Sequence, residues 1–339
     1  MDRGVVLDHV HALARDSLER WSLGEGARIR LLNVSENATF LVEHGEGDRH
    51  VLRVHRAGYH SRAGIASELA WLESLHADGG VITPRAVAGR DGETIQEGTV
   101  PGLDAPRHMV LFDFIDGVEP DENQDLVAPF RRLGEVSARV HRHAENWQRP
   151  PWFERLVWVP ENVFGADNYW GDWRNGPGIT SVHLPVLQRV EDEVIARLDA
   201  HGRDADRFGL AHCDLRLANL LTLGESTRVI DFDDCGLSWF LYDLATALTL
   251  IDNLPQTPDL VAAWLEGYMP VRPLPAQHLA MVSTLIMMRR MAILAWMGTH
   301  PATDLARDSR SGFAEETCGM AEVWLARPPS ADDLVPWRN

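Results

Sequence analysis

With 339 residues the chain exceeds what one hydrophobic core usually spans, so two domains are expected. Its 45% hydrophobic and 24% charged residues describe an ordinary globular protein able to bury a sizeable core. Lysine and arginine number 32 against 50 aspartates and glutamates, a formal charge of −18. That balance argues against binding to nucleic acid or an anionic membrane, and it suits a cationic partner.

Apolar residues at helical spacing (Val6, Val10, Leu13, Leu18) predict an opening helix over 5–21. Charges run through that stretch, so no signal-peptide core is expected. "RIRLLNV" (28–34), "ATFLVEH" (38–44) and "HVLRVHR" (50–56) read as three strands separated by turn residues. A helix over 61–80 follows, with Ser61 placed to cap it. "HMVLFDFIDG" (108–117) reads as a buried strand ending at a glycine turn. Strands with one long helix mark a first lobe over 1–115. Residues 116–339 form a second, mostly helical lobe, with helical patterns at 125–147, 184–202, 239–252, 258–268, 275–298 and 312–327. A Pro/Gly/Trp-rich insert, 147–179, holds five of the twelve tryptophans. The apolar run 281–297 is broken by Arg289 and Arg290 and reads as too short and too charged for a membrane span. Three cysteines, Cys213, Cys235 and Cys318, show neither metal-ligand nor paired spacing. Reduced thiols in a cytoplasmic protein are expected.

Two stretches carry chemistry. In "AHCDLRLANLL" (211–221), Asp214 and Asn219 stand five residues apart, with Leu215 and Leu217 to anchor the loop. An aspartate there can orient a hydroxyl or take its proton, and an asparagine oxygen is a hard neutral ligand for Mg²⁺. "VIDFDD" (229–234) puts Asp231 at the end of a short β-branched strand, where it can reach the same metal. Carboxylate, carboxamide and second carboxylate are what phosphoryl transfer requires. Aspartate and asparagine also serve turns, and that reading applies first to Asp233 and Asp234. His212 and Cys213 read as structural.

These motifs resemble the aminoglycoside-phosphotransferase/choline-kinase group of protein-kinase-like enzymes. The catalytic loop H-G-D-x-x-x-x-N of that group appears as His212-Cys213-Asp214 through Asn219. Its I-D-[FW]-[DE] strand end appears as Ile230-Asp231-Phe232-Asp233, and its Y-D-L-A helix start lies in "WFLYDLATAL" (239–248). The resemblance runs from about residue 30 to 300 and is nearest to the stress-kinase and homoserine-kinase-like branch. It implies an α+β, bilobal protein-kinase-like fold with a small antiparallel-sheet lobe and a larger helical lobe. It also implies ATP or GTP as donor with Mg²⁺, Asp214 as the catalytic residue, Asn219 and Asp231 as metal ligands, and Asp243 bracing the catalytic loop. Arg53 stands where such kinases carry the lysine that holds the α- and β-phosphates, and Glu68 where they carry its partner. The segment 110–117 would meet adenine through the backbone of Asp113 and Ile115.

The chain departs from the pattern twice. Arginine replaces lysine at 53, which keeps the charge but changes the reach. The segment 33–42 lacks glycine, so phosphate would be cupped by a turn at Ser35 and Asn37. The acceptor is expected to be a small, hydroxyl-bearing molecule, with a cationic one suited to the acidic chain: an amino alcohol, amino acid or amino sugar. Trp158, Trp170 and Trp173, with Asp167 and Asp172, could wall its site or simply pack the insert. Three other readings are a Ser/Thr protein kinase of the stress-response type, a metal-dependent phosphohydrolase built on His212, Asp214, Asp231 and Asp233, and an inactive nucleotide-binding regulator.

Overall fold

A computed structural model describes residues 3–23, 26–34, 37–77, 80–121, 125–224, 226–301, 303, 306–307 and 312–338. The chain divides into two compact units, 1–116 with 149–155, and 117–148 with 156–339. The start of the Trp-rich insert, expected to belong with the later residues, thus joins the first unit. It is held there by one backbone and one side-chain donor: Glu154 N–H donates to Ser67 Oγ (2.9 Å) and Arg155 Nη1 to the Gly64 carbonyl (3.1 Å).

The first unit is α+β. Helix α1 (Arg3–Asp16) leads through a 3₁₀ turn at Leu18–Trp21 to strands β1 (Arg28–Val34), β2 (Ala38–His44) and β3 (Asp48–Val54). Helix α2 (Arg62–Ala77) precedes β4 (Ala86–Val87), β5 (Ile95–Gly98) and β6 (Arg107–Asp113). The strands form one antiparallel sheet in the order β1-β2-β3-β6-β4, with β5 also on β6. Alternation along the strands turns Phe40, Val42, Leu52, Val54, Met109 and Leu111 into a core that α1 closes with Val10, Leu13 and Ala14. Ser61 caps α2 as its sequence position predicts: Gly64 N–H donates to Ser61 Oγ at 2.9 Å.

The second unit is mostly helical: α3 (Val127–Asn146), α4 (Pro160–Val163), α5 (Leu184–His201), α6 (Tyr242–Ala247), α7 (Thr257–Tyr268), α8 (Ala276–Leu279), α9 (Val282–Thr299) and α10 (Phe313–Leu325). A three-stranded sheet sets β11 (Gly236–Trp239) between β7 (Leu156–Val157) and β8 (Phe208–Ala211). A hairpin pairs β9 (Leu220–Leu223) with β10 (Ser226–Val229). The helix expected over 239–252 is shorter, because residues 236–239 pair with β8 as strand and Trp239 packs edge-on against Phe208. The 281–297 run lies in a helical stretch, Ala276–Thr299, that is long and apolar enough to cross a membrane by length and composition, contrary to its sequence reading. In this fold 89% of its most apolar window is buried as the core of the second unit.

Helices α3 and α7 cross at two glycines. A Cβ on Gly134 would strike the Trp264 carbonyl, and one on Gly267 the Arg131 carbonyl. The two backbones lie closer than any side chain allows. Gly134→Ala should therefore destabilise the protein by about 3 kcal/mol, the upper range for overpacking, because the obstacle is backbone. Thermal unfolding would register this as a melting temperature lower by roughly 6–12 °C.

Candidate active site

In the first unit Arg53, on β3, and Glu68, on α2, form a buried ion pair with Arg53 Nη1 to Glu68 Oε1 at 2.7 Å. Glu68 is fully buried and Arg53 is 7% exposed, so this is no surface pair. The Phe112 ring lies 5.1 Å from the guanidinium carbon. Glu68 Oε2 makes no hydrogen bond. A buried charge pair of this kind is costly unless the geometry repays it. Asn37 is turned to the backbone: its Oδ1 accepts from Arg56 N–H at 3.0 Å, which ties the residue before β2 to the segment just past β3. Ser35 lies outside the described residues. Asp113 ends β6 with its N–H donated to the Arg85 carbonyl at 2.9 Å, which leaves only its carbonyl for a base. Ile115 lies half-buried in the following extended segment.

In the second unit, β8 delivers His212, Cys213 and Asp214. Asp243, the second residue of α6, accepts His212 N–H on Oδ2 (3.1 Å) and Cys213 N–H on Oδ1 (2.7 Å). Leu215 N–H donates to Thr246 Oγ1 at 2.9 Å, one turn further along the same helix. This clamp holds Cys213 at φ +64°, a conformation that glycine adopts freely and cysteine does not. His212 works through its ring: Nδ1 accepts Asp214 N–H (3.3 Å), and Nε2 bonds the Ile230 carbonyl (3.1 Å). Both ring nitrogens are thus spent on backbone. Asn219 donates Nδ2 to the Asp214 carbonyl (2.8 Å) and to Asp214 Oδ2 (3.0 Å), which leaves Oδ1 for a cation. Its own carbonyl accepts Ile230 N–H at 3.0 Å, so Asn219 and Asp231 are held as near neighbours. Asp231 lies two residues past β10, not on it, at φ +61°. Asp233 is buried.

A directional chain stands behind Asp243. Arg272 Nη1 donates to Tyr268 Oη (3.1 Å), Tyr268 bonds His141 Nδ1 (2.8 Å), and His141 Nε2 meets Asp243 Oδ2 (2.9 Å). Burial keeps His141 below the ordinary imidazole range despite its carboxylate partner. Burial also pushes the Asp243 carboxyl up, but the hydrogen bonds from His141 and the loop N–H outweigh it and hold it low. Asp243 is thereby a fixed negative charge aimed at the loop.

Sequence reading did not find two residues at Asp214. Arg289, on α9, donates Nη2 to Asp214 Oδ1 at 2.6 Å, and Arg216 Nε lies 3.4 Å from Asp214 Oδ2. A signal existed for the first: an arginine inside an apolar helix must find a buried partner. The tryptophans of the insert pack as core. Trp158 meets Trp170 edge-on at 4.8 Å, and its indole N–H donates to the Asp234 carbonyl (2.8 Å). Trp173 donates to Glu191 Oε2 (2.6 Å) and carries Arg174 over its face. Asp172 caps the 3₁₀ turn at Trp173–Asn175. All three rings are buried, and Trp170 and Trp173 already carry Arg289 and Arg174, so a wall of open tryptophans is not what the insert builds. Among the described residues no group of three or more His, Cys, Asp or Glu could hold a metal ion. Both ring nitrogens of His212 are engaged by backbone, so that ring is no ligand for a cluster with Asp214, Asp231 and Asp233. The open Asn219 Oδ1 suits a cation completed by phosphates.

A model of the phosphotransferase enzyme family matches residues 28–278. The chain belongs to that family. It is a kinase that transfers phosphate to a hydroxyl of a small molecule. Among solved structures, a microcompartment-associated aminopropanol kinase is 38% identical, covers 96% of this chain and 98% of its own, and superposes with a TM-score of 0.86. The homoserine kinase of Gluconobacter oxydans (strain 621H) is 29% identical over 262 residues, 74% of this chain and 75% of its own. The amicoumacin kinase of Bacillus subtilis (strain 168) is 23% identical over 245 residues, 71% of this chain and 69% of its own. The expected fold class and family are both borne out.

Four histidines titrate below their ordinary value in this phosphotransferase. Burial lowers His50, His141, His201 and His278, and takes His201 to about 4. The unfolded chain protonates its histidines near 6.5, so below that pH it binds more protons than the fold and stability falls. The melting temperature should be level above pH 7 and decline from about pH 6.5 toward 4. His201→Gln, which removes one of the four linked protons, should flatten part of that decline.

Proposed function

We propose that this phosphotransferase moves the γ-phosphate of ATP, with Mg²⁺, onto the hydroxyl of a small cationic amino alcohol in the cytoplasm. The observation that carries the acceptor class is 38% identity, across nearly the whole of both chains, to an aminopropanol kinase. The formal charge of −18 favours the approach of a cation over that of an anion. Three buried cysteine thiols are in keeping with a reducing compartment.

In this reading Asp214 accepts the acceptor's hydroxyl proton. The alcohol oxygen then forms a bond to the γ-phosphorus as the bond to the bridging oxygen breaks, and ADP leaves. Arg53, held by Glu68, takes the α- and β-phosphates together with Ser35 and Asn37. The Asp113 carbonyl and the Ile115 N–H take the base. Asn219 Oδ1 and Asp231 are the hard oxygen ligands for Mg²⁺, and their backbone link through Ile230 supports that pairing. When bound, the metal neutralises phosphate charge. Asn219 serves both roles, since its Nδ2 orients Asp214. Arg53 in place of lysine presents a planar fork to two phosphate oxygens.

The acceptor is tested directly by incubating the enzyme with Mg²⁺ and ATP or GTP against aminopropanol, choline, homoserine and an aminoglycoside, with mass spectrometry of the products. Phosphorylated aminopropanol with ATP preferred is the expected result, and turnover of homoserine alone overturns the acceptor class. Two substitutions separate the roles. Asp214→Asn should slow transfer by ~10²–10⁴-fold with nucleotide affinity little changed. Asp231→Asn should weaken Mg²⁺-dependent nucleotide binding together with turnover, as calorimetry would register.

A further inference from the structure

We propose that Arg289 is a positioning residue for phosphoryl transfer, one that locks the Asp214 carboxylate in the orientation that receives the acceptor's hydroxyl. The inference rests on the reading of Asp214 as the residue that meets the acceptor.

An aspartate carboxylate turns easily about its last torsion, because that sp³–sp² rotor has broad minima. One anchor does not fix it, but two on opposite oxygens do. Asn219 Nδ2 holds Oδ2 at 3.0 Å and Arg289 Nη2 holds Oδ1 at 2.6 Å. The two anchors come from different parts of the fold, one from the loop itself and one from a core helix 75 residues away. Arg289 is in turn over-determined. Its Nε donates to Thr249 Oγ1 at 3.0 Å, and its guanidinium carbon lies 5.2 Å from the centre of the Trp170 ring. Its side chain is only 4% exposed, whereas that of Asp214 keeps 15%. The rigid partner therefore sits in the core and the carboxylate remains reachable. Each carboxylate oxygen has a second lone pair, so an alcohol can still donate to Asp214 with both anchors in place.

Stability alone is a poor account of this arrangement. A guanidinium on a core helix costs desolvation energy that an apolar residue of similar volume would avoid. The pair is directed at the one carboxylate whose orientation the reaction needs. A misplacement of about 1 Å at a reacting group costs ~10²-fold in rate, which sets the expected effect. Lysine at this position would keep the charge but could not reach Thr249 and Asp214 at once as the fork does.

The experiment compares wild type, Arg289→Met, Arg289→Lys, Asp214→Asn and the Arg289→Met/Asp214→Asn double variant, all as the full chain with Mg²⁺ and ATP. Transfer to aminopropanol and transfer to water are both followed, so the outcome does not hang on the acceptor's identity. Arg289→Met should lower kcat by ~10²-fold with the ATP dissociation constant unchanged by calorimetry, and Arg289→Lys should fall between it and wild type. The double variant should be no slower than Asp214→Asn, because Arg289 acts only through that carboxylate. Wild-type kcat in Arg289→Met overturns the inference. So does a double variant slower than Asp214→Asn by the full factor of Arg289→Met, since a purely structural loss would multiply. Should Arg289→Met fail to fold, Arg289→Lys decides: reduced kcat at unchanged ATP affinity supports the role, and wild-type kcat refutes it. Full activity in Asp214→Asn would sink the underlying reading instead, and this inference with it.

Discussion

The backbone N–H groups of His212 and Cys213 end on one buried carboxylate, that of Asp243, and everything the catalytic loop does depends on this. Hydrogen bonds to a charged acceptor contribute about 1.5–3 kcal/mol each, enough to hold Cys213 in a left-handed conformation that costs roughly 1–2 kcal/mol. With those two peptides fixed, the chain must leave β8 in the direction that carries Asp214 and then Asn219 past Ile230. Asp243 can play this part only while ionised; His141 and the loop N–H groups keep it so, and Tyr268 and Arg272 fix the His141 ring from behind. The Asp243 charge is structural, and the carboxylate next along the chain from the clamp, Asp214, is the one proposed for chemistry. The fold keeps them apart by giving each its own cation-bearing partner, Arg272 at the far end of one chain and Arg289 beside the other.

The second unit accepts several buried charges on a helix that is otherwise pure core. Arg289 and Arg290 sit side by side on α9 yet answer different needs. Arg290 joins Asp252 (2.5 Å), Glu316 (2.7 Å) and Thr317, tying α10 and the segment after α6 to the helix. Burial raises the Asp252 carboxyl, and Arg290 opposes it. Residues on either side of the pair fill the core with Met287, Met288, Met291 and Leu294. One helix thus anchors α10 and reaches the Asp214 carboxylate, with apolar packing fixing its position for both tasks.

Much of this was legible in sequence where the physics is local. Strand alternation at 38–44 and over the shared part, 50–54, of the third strand, the Ser61 cap and the five-residue spacing of Asp214 and Asn219 each depend on neighbours within a turn or a hairpin. The Arg53–Glu68 pair was legible through the resemblance, and its burial was not, because burial is set by Phe112 and the sheet around it. Asp231 read as the end of a strand because β-branched residues precede it. The strand stops two residues earlier, where the His212 ring and the Asn219 carbonyl take the Ile230 backbone groups that a ladder would need. Arg289 with Asp214 and His141 with Asp243 are separated by 75 and 102 residues, and no periodicity reports contacts of that kind. The tryptophans of the insert were legible as a feature and not as packing, since an indole looks the same in a wall and in a core.

The chain behind Asp243 has a temporal side. Its members, residues 141, 212, 213, 243, 268 and 272, enter the growing polypeptide over a span of more than a hundred residues. Arg272 emerges last, and it secures Tyr268 while bridging to Glu145 through Oε1 at 2.7 Å. A nascent chain that has already exposed the whole H-C-D and I-D-F-D stretch to solvent has made His141 but still lacks Tyr268 and Arg272, which hold that ring in place behind Asp243. Competence therefore arrives late in synthesis, after the first unit could have folded by itself. A ribosome-bound fragment ending before residue 272 would carry every motif of a kinase and remain catalytically silent.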